Sequence, residues 1–139
     1  MEYRKFDKTW LLRLDPGEEI MEQLKIFAER EGIRLAKVEG IGAVKEFTVG
    51  AFDTAEKQFC GNDFRGTYEI VSLLGTVTTK DGVFYSHLHM CAADKTGQTM
   101  GGHLSRAVIS ATGEIAVTEL PGTVERQFSE EIGLNLFKF

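Results

Sequence analysis

All three histidines of the chain fall in one short stretch. It reads Tyr85-Ser86-His87-Leu88-His89-Met90-Cys91, then a turn, then Gly101-Gly102-His103-Leu104. In an extended segment, side chains two residues apart share a face, so His87 and His89 project together. A third imidazole from the next strand would complete three donors, the number that an open, catalytic-type zinc site takes from protein. Imidazole also suits iron, nickel and copper, but zinc is the usual occupant of a three-histidine tetrahedral site. The competing reading is three neutral histidines on a half-polar sheet face with no ion. Cys91 lies on the same face beyond His89, where it reads as a small buried residue rather than a fourth ligand.

Two turns have to position these side chains. Asp81-Gly82 is a strong hairpin signal and pairs Val83–Ala93 with the strand ending at Lys80. The even face of the second strand then carries Phe84, Leu88, Met90 and Ala92, beside Val71, Leu73 and Val77. That apolar set is the expected core face, so the odd face with His87 and His89 turns away from it. Asp94-Lys95-Thr96-Gly97-Gln98 suits a three-residue loop, a type I turn followed by Gly97 in the left-handed region. In that register Asp94 faces Gln98 and His89 faces His103, with His87 one diagonal step away. A loop one residue longer would send His103 to the core face. Gly101-Gly102 lets backbone or ligand approach closely, or simply kinks the chain.

Two carboxylates are candidates for a general base beside a metal. Glu39 precedes Gly40-Ile41-Gly42. Glu69 lies in Tyr68-Glu69-Ile70-Val71-Ser72-Leu73-Leu74-Gly75, on the core face by the hairpin register unless a bulge intervenes. Both also fit ordinary strand-end or surface positions. Asp94 serves its turn. Gly40-X-Gly42 lacks the third glycine and following helix of a dinucleotide site, and no nucleophile elbow is visible.

The elements around the histidines read as one helix and about seven strands. Asp15-Pro16-Gly17-Glu18 predicts a helix start, with Asp15 as N-cap, Pro16 in the first turn and Glu18 at the capping-box position. The helix then runs to about Glu31, with Ile20, Leu24, Phe27 and Ala28 as its apolar stripe and Gly32 as its cap. Strands are expected over Phe6–Leu14, over Ile33–Phe52 as two pieces around Gly40–Val44, over Gly66–Thr79 and over Val83–Ala93. Val108–Leu120, with a kink near Thr112-Gly113, and Leu134–Phe139 complete the set. This pattern predicts an α+β fold: a mostly antiparallel, twisted sheet or partial barrel with one main N-terminal helix.

Composition narrows the function classes. At 139 residues the chain suits a single domain spanning 1–139. No run of 18 or more apolar residues suggests a membrane helix, and Met1-Glu2-Tyr3-Arg4-Lys5 leads into a strand-like stretch rather than a signal-peptide core. Two cysteines, Cys60 and Cys91, make no disulfide framework and suit a reducing, cytoplasmic setting. A net charge of −5 gives no electrostatic footprint for nucleic acid or an anionic membrane.

The chain also resembles the PPC domain family, the plant and prokaryote conserved domain, also called domain of unknown function 296. The resemblance rests on Val38-Glu39-Gly40-Ile41-Gly42-Ala43, on Tyr68 to Gly75, and on His87-Leu88-His89 with the Asp94–Gly97 turn. It also rests on Gly101-Gly102-His103-Leu104, Glu119-Leu120-Pro121-Gly122 and Gly133-Leu134-Asn135-Leu136. It implies an α+β fold assembled as a homotrimer, with a metal, zinc foremost, on His87, His89 and His103. The fold is similar to that of acetolactate decarboxylase, a zinc enzyme. Plant members add Arg-Gly-Arg-Pro-like AT-hooks that bind DNA, and no such segment occurs in these residues. Three functions stay open: a metal-binding protein, as such or as a metal-dependent enzyme on a small oxygenated substrate; a DNA-binding or regulatory module; and a metal-stabilised homotrimeric interaction module.

Overall fold

The computed structural model describes residues 1–139. Eight strands and one helix follow in the order β1 (Glu2–Phe6), β2 (Thr9–Leu14), α1 (Ile20–Glu31), β3 (Ala36–Asp53), β4 (Gln58–Lys80), β5 (Val83–Ala93), β6 (Thr99–Glu119), β7 (Glu125–Ser129) and β8 (Leu134–Lys138). All strands belong to one sheet. β3 pairs with β4 and β6, and β5 pairs with the same two, so the hydrogen bonding runs in a ring. This ring falls short of a regular barrel. The β1–β2 hairpin extends β6 on one side, and the β7–β8 hairpin touches β4 through a single parallel bridge, Thr79 to Glu125.

The α+β architecture expected from sequence is the one observed. The core is one cluster in which Leu24, Phe27 and Ala28 of α1 pack with Leu73, Leu88, Met90, Leu104 and Ile109 of the sheet. Burial of this apolar set is the main source of stability. The opposite face of the sheet carries the histidines.

Several local expectations change. The helix begins at Ile20, not at Asp15–Pro16, and Glu19 is its N-cap, accepting a bond from the backbone N–H of Glu22. Asp15–Glu18 instead closes on itself, with Glu18 accepting from the Asp15 N–H at 2.8 Å. Gly17 adopts φ +91°, which no right-handed helix allows, so the helix cannot start before it. The end of the helix is as expected, with Gly32 in the left-handed region. The first expected strand, Phe6–Leu14, is broken by a turn at Asp7 with φ +54°: its Thr9–Leu14 part is β2, and β1 (Glu2–Phe6), ahead of the expected bounds, pairs with it as a hairpin. β3 is continuous from Ala36 to Asp53, because bulges near Gly40–Gly42 and Val44–Glu46 absorb the irregularity expected to split it. β4 and β6 are longer than the sequence pattern suggested, reaching back to Gln58 and Thr99.

Val71 is a further correction. Ile70 pairs with Ala92 and Ser72 with Cys91, which leaves Val71 as the extra residue of a bulge. It is 56% exposed and does not join the core. The same bulge moves Glu69 opposite Ala93, onto the histidine face and off the core face.

Candidate metal centre

The β4–β5 and β5–β6 turns create the site. Asp81 and Gly82 both have positive φ, 53° and 76°, as a type I′ turn requires, and Lys80 pairs with Val83. In the second turn the Asp94 N–H donates to Gln98 O at 2.9 Å, and the Gly97 N–H donates to Asp94 O at 3.0 Å. Asp94 Oδ1 accepts from the backbone N–H of Thr96 and Gln98 and from the Thr96 hydroxyl. These bonds hold the Asp94 carboxyl below the ordinary carboxylate range, the Thr96 hydroxyl contributing most. Gly97 takes φ +84°. The register that results pairs His89 with His103 directly.

The three imidazoles converge on the face away from the core. Their ring centroids are 5.3 Å apart for His87–His89, 5.1 Å for His87–His103 and 5.6 Å for His89–His103. One ligating nitrogen from each lies within 4.8 Å of the others. Tetrahedral zinc with bonds of 2.0–2.1 Å wants such nitrogens roughly 3.4 Å apart. His87 and His89 are exposed, so rotation of their side chains can close that difference. The donor set, three neutral-capable imidazoles, fits a borderline-soft divalent ion.

The surroundings favour neutral rings. His87 is pushed down to about 4, chiefly by desolvation, then by the charges of His103, Arg126 and His89. His103 is also lowered, by desolvation first and His89 second. The ring of Phe59 meets His103 edge-on at 5.6 Å. Neutral imidazole is the ligating form, so these shifts keep the rings ready for a metal at lower pH.

Neither carboxylate singled out in the sequence joins the cluster. Glu39 is on the histidine face, but Leu74 of β4 stands between it and His89. Two strand spacings of about 4.8 Å separate them, and Lys37 engages the Glu39 carboxylate. Glu69 is opposite Ala93, four residues along β5 from His89 and so roughly 13 Å away. Cys91 pairs with Ser72 and Gly101, one same-face step from His89, and its thiol lies outside the cluster. Gly101-Gly102 serves backbone approach: a Cβ at Gly102 would lie 2.4 Å from Gly50 O of β3.

Sequence reasoning did not find Arg126. It sits on β7, only 7% exposed, and its guanidinium reaches the outer face of β4 and β5 beside His87. The available signal, Arg126 at alternate positions with Val124 and Phe128, is too short a run to set which way it faces.

A ring of antiparallel strands that gathers three imidazoles on the face opposite its core defines a class of small, β-rich proteins with a candidate metal centre. The chain belongs to the Plants and Prokaryotes Conserved (PCC) domain family, whose profile matches residues 1–121. A crystal structure of a candidate DNA-binding protein from Bacteroides thetaiotaomicron matches with a TM-score of 0.96 and 28% identity, covering 99% of this chain and 96% of that one. A metal-containing protein from Archaeoglobus fulgidus matches with a TM-score of 0.88 and 33% identity, covering 99% and 97%. The bifunctional protein GlmU of Synechococcus is 30% identical over 126 residues, which are 89% of this chain but only 18% of the length of that protein. No helix is long and apolar enough to cross a membrane.

Proposed function

We propose that the chain is a metal-binding protein whose His87, His89 and His103 hold one zinc ion, with a coordination position left for a small oxygenated ligand. The observation that carries this is the convergence of three imidazole nitrogens within 4.8 Å of one another on an accessible sheet face. The description of the Archaeoglobus relative as metal-containing supports it. Zinc supplies Lewis-acid polarisation of a ligand oxygen. A general-base role for Glu39 or Glu69 requires a ligand or a neighbouring subunit to bring the carboxylate closer, so the reading is ligand binding at a metal, with catalysis a further step. We take residues 1–139 as one domain and the cytoplasm as its place, to which two free cysteines are suited.

A homotrimer is part of the proposal. Leu11, Ile41, Val71 and Leu74 are all exposed, and they line a groove of about 880 Å³ on the histidine side of the sheet. Contiguous apolar surface of this kind marks an interaction site, and further copies of the chain are the occupants we propose. Metal-bound histidines usually donate their second N–H to a fixed acceptor. None of these three rings has a hydrogen-bond partner within the chain, which leaves that task to water or an adjoining subunit.

Elemental analysis after zinc-replete expression tests the reading. It predicts one zinc per chain in the wild type and a clear loss in His89→Ala. Wild-type protein without stoichiometric metal would overturn it. The description of the Bacteroides relative favours a second reading, DNA binding. That reading requires duplex binding that weakens steeply with salt, and failure to shift any duplex at low salt removes it.

A further inference from the structure

We propose that Arg126 forms an anion subsite beside the three histidines, which takes the carboxylate of a small acid whose second oxygen faces the histidine cluster. This rests on the metal reading for the second oxygen only; the carboxylate end stands on Arg126 itself.

Arg126 carries a charge that no side chain of the protein compensates. Arg126 is 7% exposed, and no carboxylate lies within 4.0 Å of its guanidinium. Its Nε donates to Thr78 Oγ1 at 2.8 Å, Nη1 to Asn135 O at 2.9 Å and Nη2 to Thr76 Oγ1 at 3.5 Å. Its Cζ lies over the rings of Tyr85 and Phe137, at 4.6 and 4.5 Å from their centroids. Three of the five guanidinium N–H groups are thereby used, and one on each Nη is left over. Burying a cation without a counter-ion is costly unless something repays it. Stacking on two rings repays part, and an anionic ligand would repay the rest.

The position is next to the candidate metal centre. Thr76, which Arg126 contacts, is the direct cross-strand partner of His87. Tyr85, on which it stacks, is two residues before His87 on the same face, about 6.6 Å along the strand. A second unfinished group lies on the same hairpin. Asn135 Oδ1 is buried and has no hydrogen-bond partner. Phe128 pairs with Asn135 and Arg126 with Phe137, so the side chains of Arg126 and Asn135 share one face of the hairpin. Arg126 thus presents free donors beside the histidine face, and Asn135 lies on its side of the hairpin with an acceptor open to a donor group of a ligand rather than to its carboxylate.

The chemistry favours a carboxylate. A planar carboxylate matches two N–H groups of a guanidinium. A single buried arginine, with no lysine or second arginine contacting the same groups, balances a monoanion better than a phosphate dianion. A carboxylate that also carries a hydroxyl or carbonyl oxygen can present that oxygen to the ion on His87, His89 and His103.

Calorimetry with lactate, pyruvate and inorganic phosphate tests this on zinc-loaded and metal-free full-length protein, wild type, Arg126→Gln and Arg126→Lys, after zinc content has been measured for each. The expected result is carboxylate binding by the wild type, weakened about tenfold or more in Arg126→Gln and less in Arg126→Lys, with zinc content unchanged. Equal affinity in folded Arg126→Gln and wild type would overturn the proposal, leaving Arg126 as a clamp for the β7–β8 hairpin. Binding of phosphate but of neither carboxylate, or of no probe by the wild type, overturns it too. If zinc does not load, the metal reading fails by itself, and Arg126-dependent carboxylate binding to metal-free protein still supports the subsite. If the Arg126→Gln chain does not fold, the Nε–H resonance of Arg126 in the wild type decides: it shifts on adding lactate if the subsite exists and stays put if it does not.

Discussion

His87 and His103 tie the stability of the protein to pH. Both rings are held below their ordinary value of 6.5 in the folded state, His87 to about 4. The unfolded chain therefore binds protons first as pH falls, and linkage makes the native state lose stability. Their contribution is fully present above about pH 6.5 and declines as pH drops toward 4. Metal-free wild type should lose more in melting temperature between pH 7 and 4.5 than His87→Gln does; parallel curves would contradict this. At this scale the sequence was most informative where alternation applied. His87 and His89 two apart, and Leu88 and Met90 between them, dictate which face each takes. The role of Arg126 is not legible in sequence because a five-residue strand carries too little alternation to reveal which of its residues faces inward, and because its partners, Thr76, Thr78 and Tyr85, are remote in sequence.

The β5–β6 turn is the element on which the site depends. Asp94 closes it with three side-chain acceptances and Gly97 supplies the left-handed residue. One residue inserted between Lys95 and Thr96 should turn His103 toward the core and abolish stoichiometric zinc while leaving His87 and His89 in place; zinc retained at the wild-type level would show that the register does not govern the site. Gly102 is the second sensitive point. An alanine there would drive a Cβ into Gly50 O, a cost of about 2 kcal/mol, visible as a lowered urea midpoint at unchanged slope. The register of this hairpin was readable because Asp81-Gly82 and Asp94–Gln98 have local turn chemistry that fixes strand pairing. The Val71 bulge was not, because β4 must satisfy β3 on one side and β5 on the other, and that conflict is set by pairing rather than by local preference. The helix starts later than its sequence signal for a related reason: Glu18 accepts from the Asp15 N–H as in a capping box, but the Glu18 N–H returns to the Asp15 backbone carbonyl, and Gly17 donates its N–H to Ile109 O of β6 and leaves the helical path.

At the scale of the whole molecule, the exposed Leu11, Ile41, Val71 and Leu74 share the sheet face of the histidines. The proposed trimer would hide this surface and bring other subunits toward the metal. Light scattering should give three times the 15.5 kDa chain mass, and a charged substitution, Leu74→Glu, should yield monomers that remain folded. A monomeric wild type would remove the assembly from the account without touching the histidine geometry. The sheet ring could be anticipated as an α+β antiparallel fold from strand and turn signals, whereas its closure, with β5 bonded to both β4 and β6, depends on contacts between residues far apart in sequence. The central claim is that three imidazoles share one ion. X-ray absorption at the zinc edge of the purified wild type tests it most directly. The account predicts three imidazole nitrogens at about 2.0–2.1 Å and one further light atom; a zinc shell lacking imidazole scattering, or one unchanged in His89→Ala, would contradict it.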